Sequence, residues 1–552
     1  MKRKQYPFRH TANILNEVDG DAFEQFEFDT VNGKIGIIEV ERSALRKPSL
    51  IFDRLLAKNV NISATADVPK EVLEEILSHP QLRLLRAAHT GWREGFRAFV
   101  APTVTIVGRQ RKTRIVPPHF GAASAFITVP RGSLEEWQRT VANPCCKHSS
   151  IASVALSAGF AAMLLKLVGH SSFGFNLHGP SKVGKSLCLL AASSISGAGR
   201  ESGLSNWGDT SAAIEELAPR LADTLLPLNE VHLIRGAESG YYGVIKNAIY
   251  VLGEGRERRR HSASSFAKRD ESLFACIFFS TAEHSFDYYA KCAGAARDDG
   301  ELARCADISA LMPGFETVVD QYPSGIDQTV WRDFAERLLS GIRQGCEHNH
   351  GVAMQPFVQY IMGDIEGRRE EVMRYMNVFM SKLDNANLNA VWHHQAKNFA
   401  MVFAGGCMAV NAKILKLDKK RLLKILLRLF WQAHGNHAET RPSVEAAKRT
   451  LNDKLRSARI VDQRIAAPDR HDGFFTSDGA RRKYTVKTAV FRRWFAKDRR
   501  VVASVLSWLH HENLLVISSS LKTGVSPLED RTVRWPDNQP LRSWVFYDPT
   551  QT

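Results

Sequence analysis

Cysteine is scarce in this 552-residue chain: there are eight, and no two form a Cys-x-x-Cys pair. Cys145 and Cys146 are adjacent, a spacing that suits neither an ordinary disulfide nor a zinc clip. A secreted disulfide framework is thereby excluded, and reduced thiols are expected. Cys346-Glu-His348-Asn-His350 lacks the spacing of zinc sites and reads as a loop. Long apolar runs are missing too. The most apolar stretch, IASVALSAGFAAMLLKLVG over residues 151–169, is rich in Ala, Ser and Gly and carries Lys166. A membrane span needs about 20 strongly apolar residues, so a buried core helix is expected instead. The opening MKRKQYPFRH is basic with no apolar segment behind it. The expectation is a cytoplasmic protein without membrane attachment. Acids are in deficit, 58 against 74 Lys and Arg, leaving a net charge of +16. That excess favours polyanionic partners through counterion release, or serves solubility alone. Internal repeats and long low-complexity tracts are absent.

The length leaves room for several domains. FEQFEFDTV and GKIGIIEVER, within residues 22–55, alternate as strands do, with Asn32-Gly33 as a hairpin signal. A helix is predicted over 70–79 and further β structure in FRAFVAPTVTIVG, making residues 1–130 a mixed α/β domain. Ser133 with Glu136 three residues on opens a helix. Residues 131–345 form the next unit, and the periodicity beyond it is helical over 346–445. Residues 446–552 read helix, turn, helix, strand, and then a last strand at RSWVFY, an order that resembles a winged helix.

The chemistry is announced by GPSKVGKS, residues 179–186, which fits Gly-x-x-x-x-Gly-Lys-[Ser/Thr]. FGFNLH before it reads as a strand and SLCLLAASSISG after it as a helix. Backbone N–H groups of such a loop turn inward around phosphates, and the helix points its positive end at them. Gly179, Pro180, Ser181, Lys182, Val183, Gly184, Lys185, Ser186 and Leu187 are therefore the expected ATP-binding residues. Lys185 reaches the β/γ-phosphates and the Ser186 hydroxyl completes the Mg²⁺ shell. DTLLPLNEVHLI, 223–234, reads as an apolar strand ending in Asn229-Glu230. Glu230 is expected to polarise the attacking water, and Asn229 to hold Mg²⁺ through water. An Asp is usual at that second place, and an amide brings no charge. The polar tip of LFACIFFSTAEH, Ser280, Thr281 and Glu283, is expected beside the γ-phosphate as a sensor. Between these strands lies LGEGRERRRHSASSFAKRD, whose Arg256, Arg258, Arg259, Arg260 and Lys268 make a basic segment for nucleic acid, or a solvated loop.

Taken together, these pieces are similar to the domain-of-unknown-function 927 family, ring-type AAA+ ATPases of mobile-element and phage helicases related to the MCM-like replicative type. Thr90-Gly91-Trp92 before FRAFVAP resembles its amino-terminal signature, and Trp207, Thr210 and Glu215 its Trp-x-x-Thr…Glu pattern. DTLLPLNE resembles its Asp-Thr-Leu-Leu-x-Leu-Asp-Glu with Asn229 for Asp, and FFSTAE its Leu-Ser-Thr-Gly-Glu with Ala282 for Gly. YVLGEGRERRR and GELARCADISA also align in order. The resemblance implies an α/β AAA+ P-loop core with a helical lid. It also implies that Arg304 is an arginine finger acting on a neighbouring subunit's nucleotide, with Lys397 in a sensor-two-like place.

The expected activity is that of an ATP-dependent DNA helicase or translocase, a homo-oligomeric, hexameric ring threaded by single-stranded DNA. Arg492, Arg493, Lys497, Arg499 and Arg500 of the last module would meet phosphates. The alternative is an ATP-gated assembly switch that unwinds nothing, which Asn229 favours. A primase–helicase fusion lacks an acidic triad or zinc ribbon in residues 1–130. A small-molecule kinase explains neither the basic segment nor Arg304.

Overall fold

A computed structural model describes the chain except residues 1–7, 18, 31–32, 34, 48, 59, 61–81, 109–112, 119–128, 210, 256–273, 325–326, 384–387, 439–443, 458, 468, 480, 496–501, 503–504, 507, 510–511, 513, 517–530 and 550–552. The helix expected over 70–79 and Asn32 of the hairpin turn lie outside the described residues. The chain divides into two units, Met1–Trp431 and Gln432–Thr552.

The first eight strands build two sheets of the first unit. Five of them, β1 (Phe8–Asn16), β2 (Ala22–Asp29), β3 (Ile35–Glu41), β4 (Arg83–Arg86) and β8 (Ile115–Val116), lie in the order β3-β2-β1-β4-β8. The alternation sends Phe26, Phe28, Ile38 and Val40 inward onto the helix Ser49–Ala57. β5 (Gly91–Arg93), β6 (Ala98–Val100) and β7 (Thr105–Val107) form a separate antiparallel meander.

The centre is a parallel sheet of β9 (Phe173–His178), β10 (Leu225–Leu228), β11 (Ile277–Ala282) and β12 (Cys305–Ser309), ordered β10-β11-β9-β12. Its strands are buried almost throughout, as in a parallel sheet with both faces covered. The 151–169 stretch supplies one cover, the helix Ser150–Ala162, buried along its whole length. It breaks at Met163–Leu164 and resumes as Leu165–Val168. Its small residues admit close neighbours: a Cβ on Gly405 of the helix Ala390–Asn411 would stand 2.6 Å from Ala161. The expected 223–234 strand is much shorter than predicted. It ends at Leu228, because Glu230 adopts a left-handed φ of 58° and 231–233 turn into a 3₁₀ segment.

The helices expected beyond 345 are present as Ile365–Met380, Ala390–Asn411 and Lys419–Ala438, preceded by Trp331–His348 and Met354–Met362. Cys346 and His348 thus end a helix rather than sit in a loop. In the second unit the order is helix Val444–Leu455, β13 (Ile460–Asp462), β14 (Gly473–Asp478), β15 (Arg481–Lys487), helix Thr488–Trp494, β16 (Arg531–Arg534) and β17 (Pro540–Tyr547). Its sheet runs β13-β14-β15-β17-β16 over a core that includes Leu451, Val486, Phe491, Leu509 and Phe546. The β14–β15 hairpin was not foreseen from the sequence pattern. Among the described residues, no helix is long and apolar enough to cross a membrane.

Candidate nucleotide-binding site

The loop 179–184 leaves the carboxy end of β9 and feeds the helix Lys185–Ser193 directly. Gly184, the residue before that helix, has φ 106°, and a Cβ there would lie 2.7 Å from Val318 Cγ2. Glycine is required on both counts. The loop is seated by Val318 N–H donating to Val183 O at 2.9 Å and Gly179 N–H to Ala282 O at 3.2 Å. Lys185 Nζ donates to Gly179 O at 2.8 Å and Pro180 O at 2.7 Å, so the ammonium is folded back on its own loop. Val183 and Leu187 are buried, whereas Ser181 and Lys182 are exposed.

Sheet order brings a second set of groups to this loop. β11 separates β9 from β10, and all three end on one side. There Thr281 acts as a clasp. Its hydroxyl donates to Asn229 Oδ1 at 2.7 Å and accepts from Glu230 N–H at 2.9 Å. A non-glycine residue at positive φ costs about 1–3 kcal/mol and persists where its surroundings dictate it, and Glu230 is held in that way. Its Oε2 lies 3.6 Å from His232 Nε2. Beyond β11, the Glu283 carboxylate accepts from the Ser181 hydroxyl. That bond, with Lys185 nearby, holds the Glu283 carboxyl below its usual range. Partial burial pushes the Lys185 ammonium down, while Glu283 and Glu230 oppose the shift.

The result is a cleft of about 410 Å³ lined by Ser181, Lys185, Ser186, Glu230, Thr281 and Glu283. Glu201, Glu336, Leu339 and Arg343 line it as well, with Arg343 Nε donating to Glu201 at 2.9 Å. Ser280 takes no part in it. Adjacent strand residues face opposite sides, and Ser280 is wholly buried, accepting from the Trp207 indole N–H at 2.9 Å. Lys397 lies on the helix Ala390–Asn411 and is not among the cleft residues. His232, Glu201 and Arg343 escaped the sequence reading. His232 follows Glu230 by two and was open to notice, whereas Arg343 comes from a helix more than 100 residues further along the chain and left no local signal.

Arg304 ends the helix Asp299–Arg304, whose cap is the reciprocal pair Asp298 and Glu301. Its guanidinium donates to Gly300 O at 3.0 Å and lies 5.0 Å from the Tyr250 ring centre. Cys305 pairs with Gly174 and Ser309 with His178. Arg304 therefore stands at the opposite end of the sheet from the loop, roughly 15 Å away at about 3.3 Å per residue. It does not join Lys185 and Glu230 in one cleft. Arg256, Arg258, Arg259, Arg260, Lys268, Lys497, Arg499, Arg500 and Thr210 lie outside the described residues. Arg492 and Arg493 are exposed on the helix Thr488–Trp494 of the second unit.

The donors fit a divalent ion shared with phosphates only in part. Ser186, Glu230 and Glu283 open on the cleft, whereas Asn229, a neutral amide that accepts from Thr281, is not among its lining residues. Among the described residues no group of three or more His, Cys, Asp or Glu is arranged to hold a metal by itself. A Mg²⁺ site of the nucleotide type needs none, since waters and phosphates fill most of its shell.

No curated protein sequence matches the chain. A solved structure described as "SCCmec type IV Cch - active helicase" aligns with a TM-score of 0.61 over 98% of this chain and 93% of that one, at 13% identity, a likeness of fold. Another, "The A form apo structure of NrS-1 C terminal region-CTR", covers 77% of this chain and 88% of that one at 10% identity, and its TM-score of 0.26 carries no argument. Residues 4–272 match the family model described as Domain of unknown function (DUF927), a span that takes in both amino-terminal sheets, the loop after β9 and the tip of β10.

Proposed function

We propose that the chain is an ATP-dependent DNA helicase or translocase of a mobile element or phage, working as a homo-oligomeric, hexameric AAA+ ring. The observation that carries this reading is the meeting of Lys185, Ser186 and Glu230 in one cleft, delivered by two strands with β11 between them. The same sheet order and a fold like that of a structure described as an active helicase support it.

In this reading ATP is the substrate. Lys185 leaves the Gly179 and Pro180 carbonyls to neutralise the β/γ-phosphates, beside the N–H groups opening the helix Lys185–Ser193. Glu230, aimed by Thr281, orients a water and takes its proton. Mg²⁺, when bound, spreads the charge that develops on the phosphates, with Ser186 as its hydroxyl donor. Arg304, remote from its own cleft, faces the cleft of a second copy. The segment 252–270 tracks single-stranded DNA through the ring, and phosphate contacts suit that task because every nucleotide offers the same charge. Residues 131–345 are the motor, 346–445 its lid, and 446–552 a winged-helix module whose Arg492 and Arg493 meet phosphates. Residues 1–130 are a separate domain.

A second reading, an ATP-gated assembly switch without unwinding, draws on Asn229, a neutral amide bonded to Thr281 that brings no charge to a metal. One experiment separates the two: ATP hydrolysis by wild type and Lys185→Ala, with and without single-stranded DNA. DNA-stimulated turnover lost in the variant is the expected result. ATP binding with turnover indifferent to DNA would replace the motor by the switch.

A further inference from the structure

The place usually held by a metal-supporting aspartate is here Asn229, and its surroundings decide what it can do. Its Oδ1 accepts from Thr281 at 2.7 Å, and its backbone N–H and carbonyl are tied to Ser205 and Trp207. The side chain is a neutral amide, so this place brings a dipole where an aspartate would bring a negative charge. The carboxylate of Glu283, at the Glu place of the Leu-Ser-Thr-Gly-Glu pattern, lies in the same cleft. Glu283 stands one residue beyond β11, the strand between the loop and Asn229-Glu230. Ala282 O accepts from Gly179 N–H, which brings Glu283 over the loop, where it accepts from the Ser181 hydroxyl. Glu283 lines the cleft with Lys185 and Ser186 and is exposed.

Resting on the nucleotide-binding reading above, we infer that Glu283 is the carboxylate that supports the Mg²⁺–triphosphate complex here, in place of the acid missing at position 229. A hard divalent cation takes oxygen donors and tolerates a carboxylate held through water. Glu283 supplies charge from the central strand, while the Thr281 clasp leaves Glu230 free to handle the water. The Ser181 hydroxyl is the latch that Glu283 gives up, just as Lys185 gives up the loop carbonyls.

The test is equilibrium binding of AMP-PNP, a non-hydrolysable ATP analogue, to the full chain in Mg²⁺ and in EDTA. Mg²⁺ is expected to tighten binding by wild type. Glu283→Gln is expected to lose about tenfold of that Mg²⁺-dependent gain, close to the ~1.4 kcal/mol of one such step, while binding in EDTA and the melting temperature stay near wild type. Adding Asn229→Asp to Glu283→Gln is expected to restore most of the gain, a rescue that a merely structural role of Glu283 would not produce. Glu283→Asp, which keeps the charge, should fall between. An undiminished Mg²⁺ effect in Glu283→Gln would overturn the inference alone. So would tighter binding with and without Mg²⁺, which would make Glu283 a barrier to the triphosphate. Wild type that binds no nucleotide would remove the underlying reading as well.

Discussion

Asp223 shows what one residue can cost. Its carboxyl is wholly buried, accepts from Trp92 N–H at 2.9 Å, and leaves Oδ1 without a partner among the described residues. Burial pushes its pKa up to about 6, against the smaller opposing pulls of the Trp92 N–H, Lys166 and Arg93. A carboxyl that titrates higher folded than unfolded binds more protons in the native state between about pH 4 and 6, so stability falls as pH rises through that window. The penalty is fully present above it and amounts to at most about 3 kcal/mol. Thermal melts at pH 5 and pH 7.5 check the sign: wild type should lose stability toward pH 7.5 at this group, and Asp223→Asn should flatten that difference. A variant whose pH dependence matched wild type would show that the carboxyl titrates normally.

At the scale of elements, the same Asp223 explains a motif. Thr90 Oγ1 donates to Ala222 O at 2.8 Å, the Trp92 indole N–H to Met163 O at 2.7 Å, and Lys166 Nζ to Trp92 O at 3.0 Å. Thr90-Gly91-Trp92 is therefore a joint that binds the meander to the start of β10 and to the end of the apolar helix. Gly91 has φ 98°, and a Cβ there would stand 2.3 Å from Asp223 Oδ2. Gly91→Ala is predicted to cost about 2–4 kcal/mol, read as a drop in the denaturant midpoint. Legibility at this scale followed periodicity. The long helices and β9 were plain in the sequence because local pattern alone specifies them. β10 was overread by several residues on its carboxy side, since Val231, Leu233 and Ile234 are apolar enough to continue a strand while the turn at Glu230 is set by Thr281 on a different strand.

For the whole molecule, the remoteness of Arg304 from its own cleft makes a definite prediction. If the proposed ring shares its site between copies, Arg304→Ala and Lys185→Ala chains, each inactive alone, should regain part of their hydrolysis when mixed, one copy supplying the loop and its neighbour the guanidinium. Absence of recovery in a stable mixed assembly would count against the shared site. Residues 432–552 hold 21 Lys and Arg against 13 Asp and Glu, half of the net charge. Replacing Arg492 and Arg493 by Glu should weaken single-stranded DNA binding and lower its salt slope by about 1.4, at ~0.7 per phosphate contact. An unchanged slope would assign that helix to another task.

What the amino-acid order determined by itself was local: the strand–loop–helix around Gly179–Ser186, the amphipathic helices, the charge balance, and the unusual amide at position 229. Those features depend on neighbours a few residues away, so spacing alone reveals them. Only the tertiary structure decided which of the named residues meet. It brought Glu283 to Ser181, turned Ser280 away toward Trp207, bonded Asn229 to Thr281, and set Arg343 against Glu201 in the cleft. Each of these pairings joins residues more than 50 positions apart, across a sheet whose spatial order differs from its chain order, and no periodicity records such a meeting.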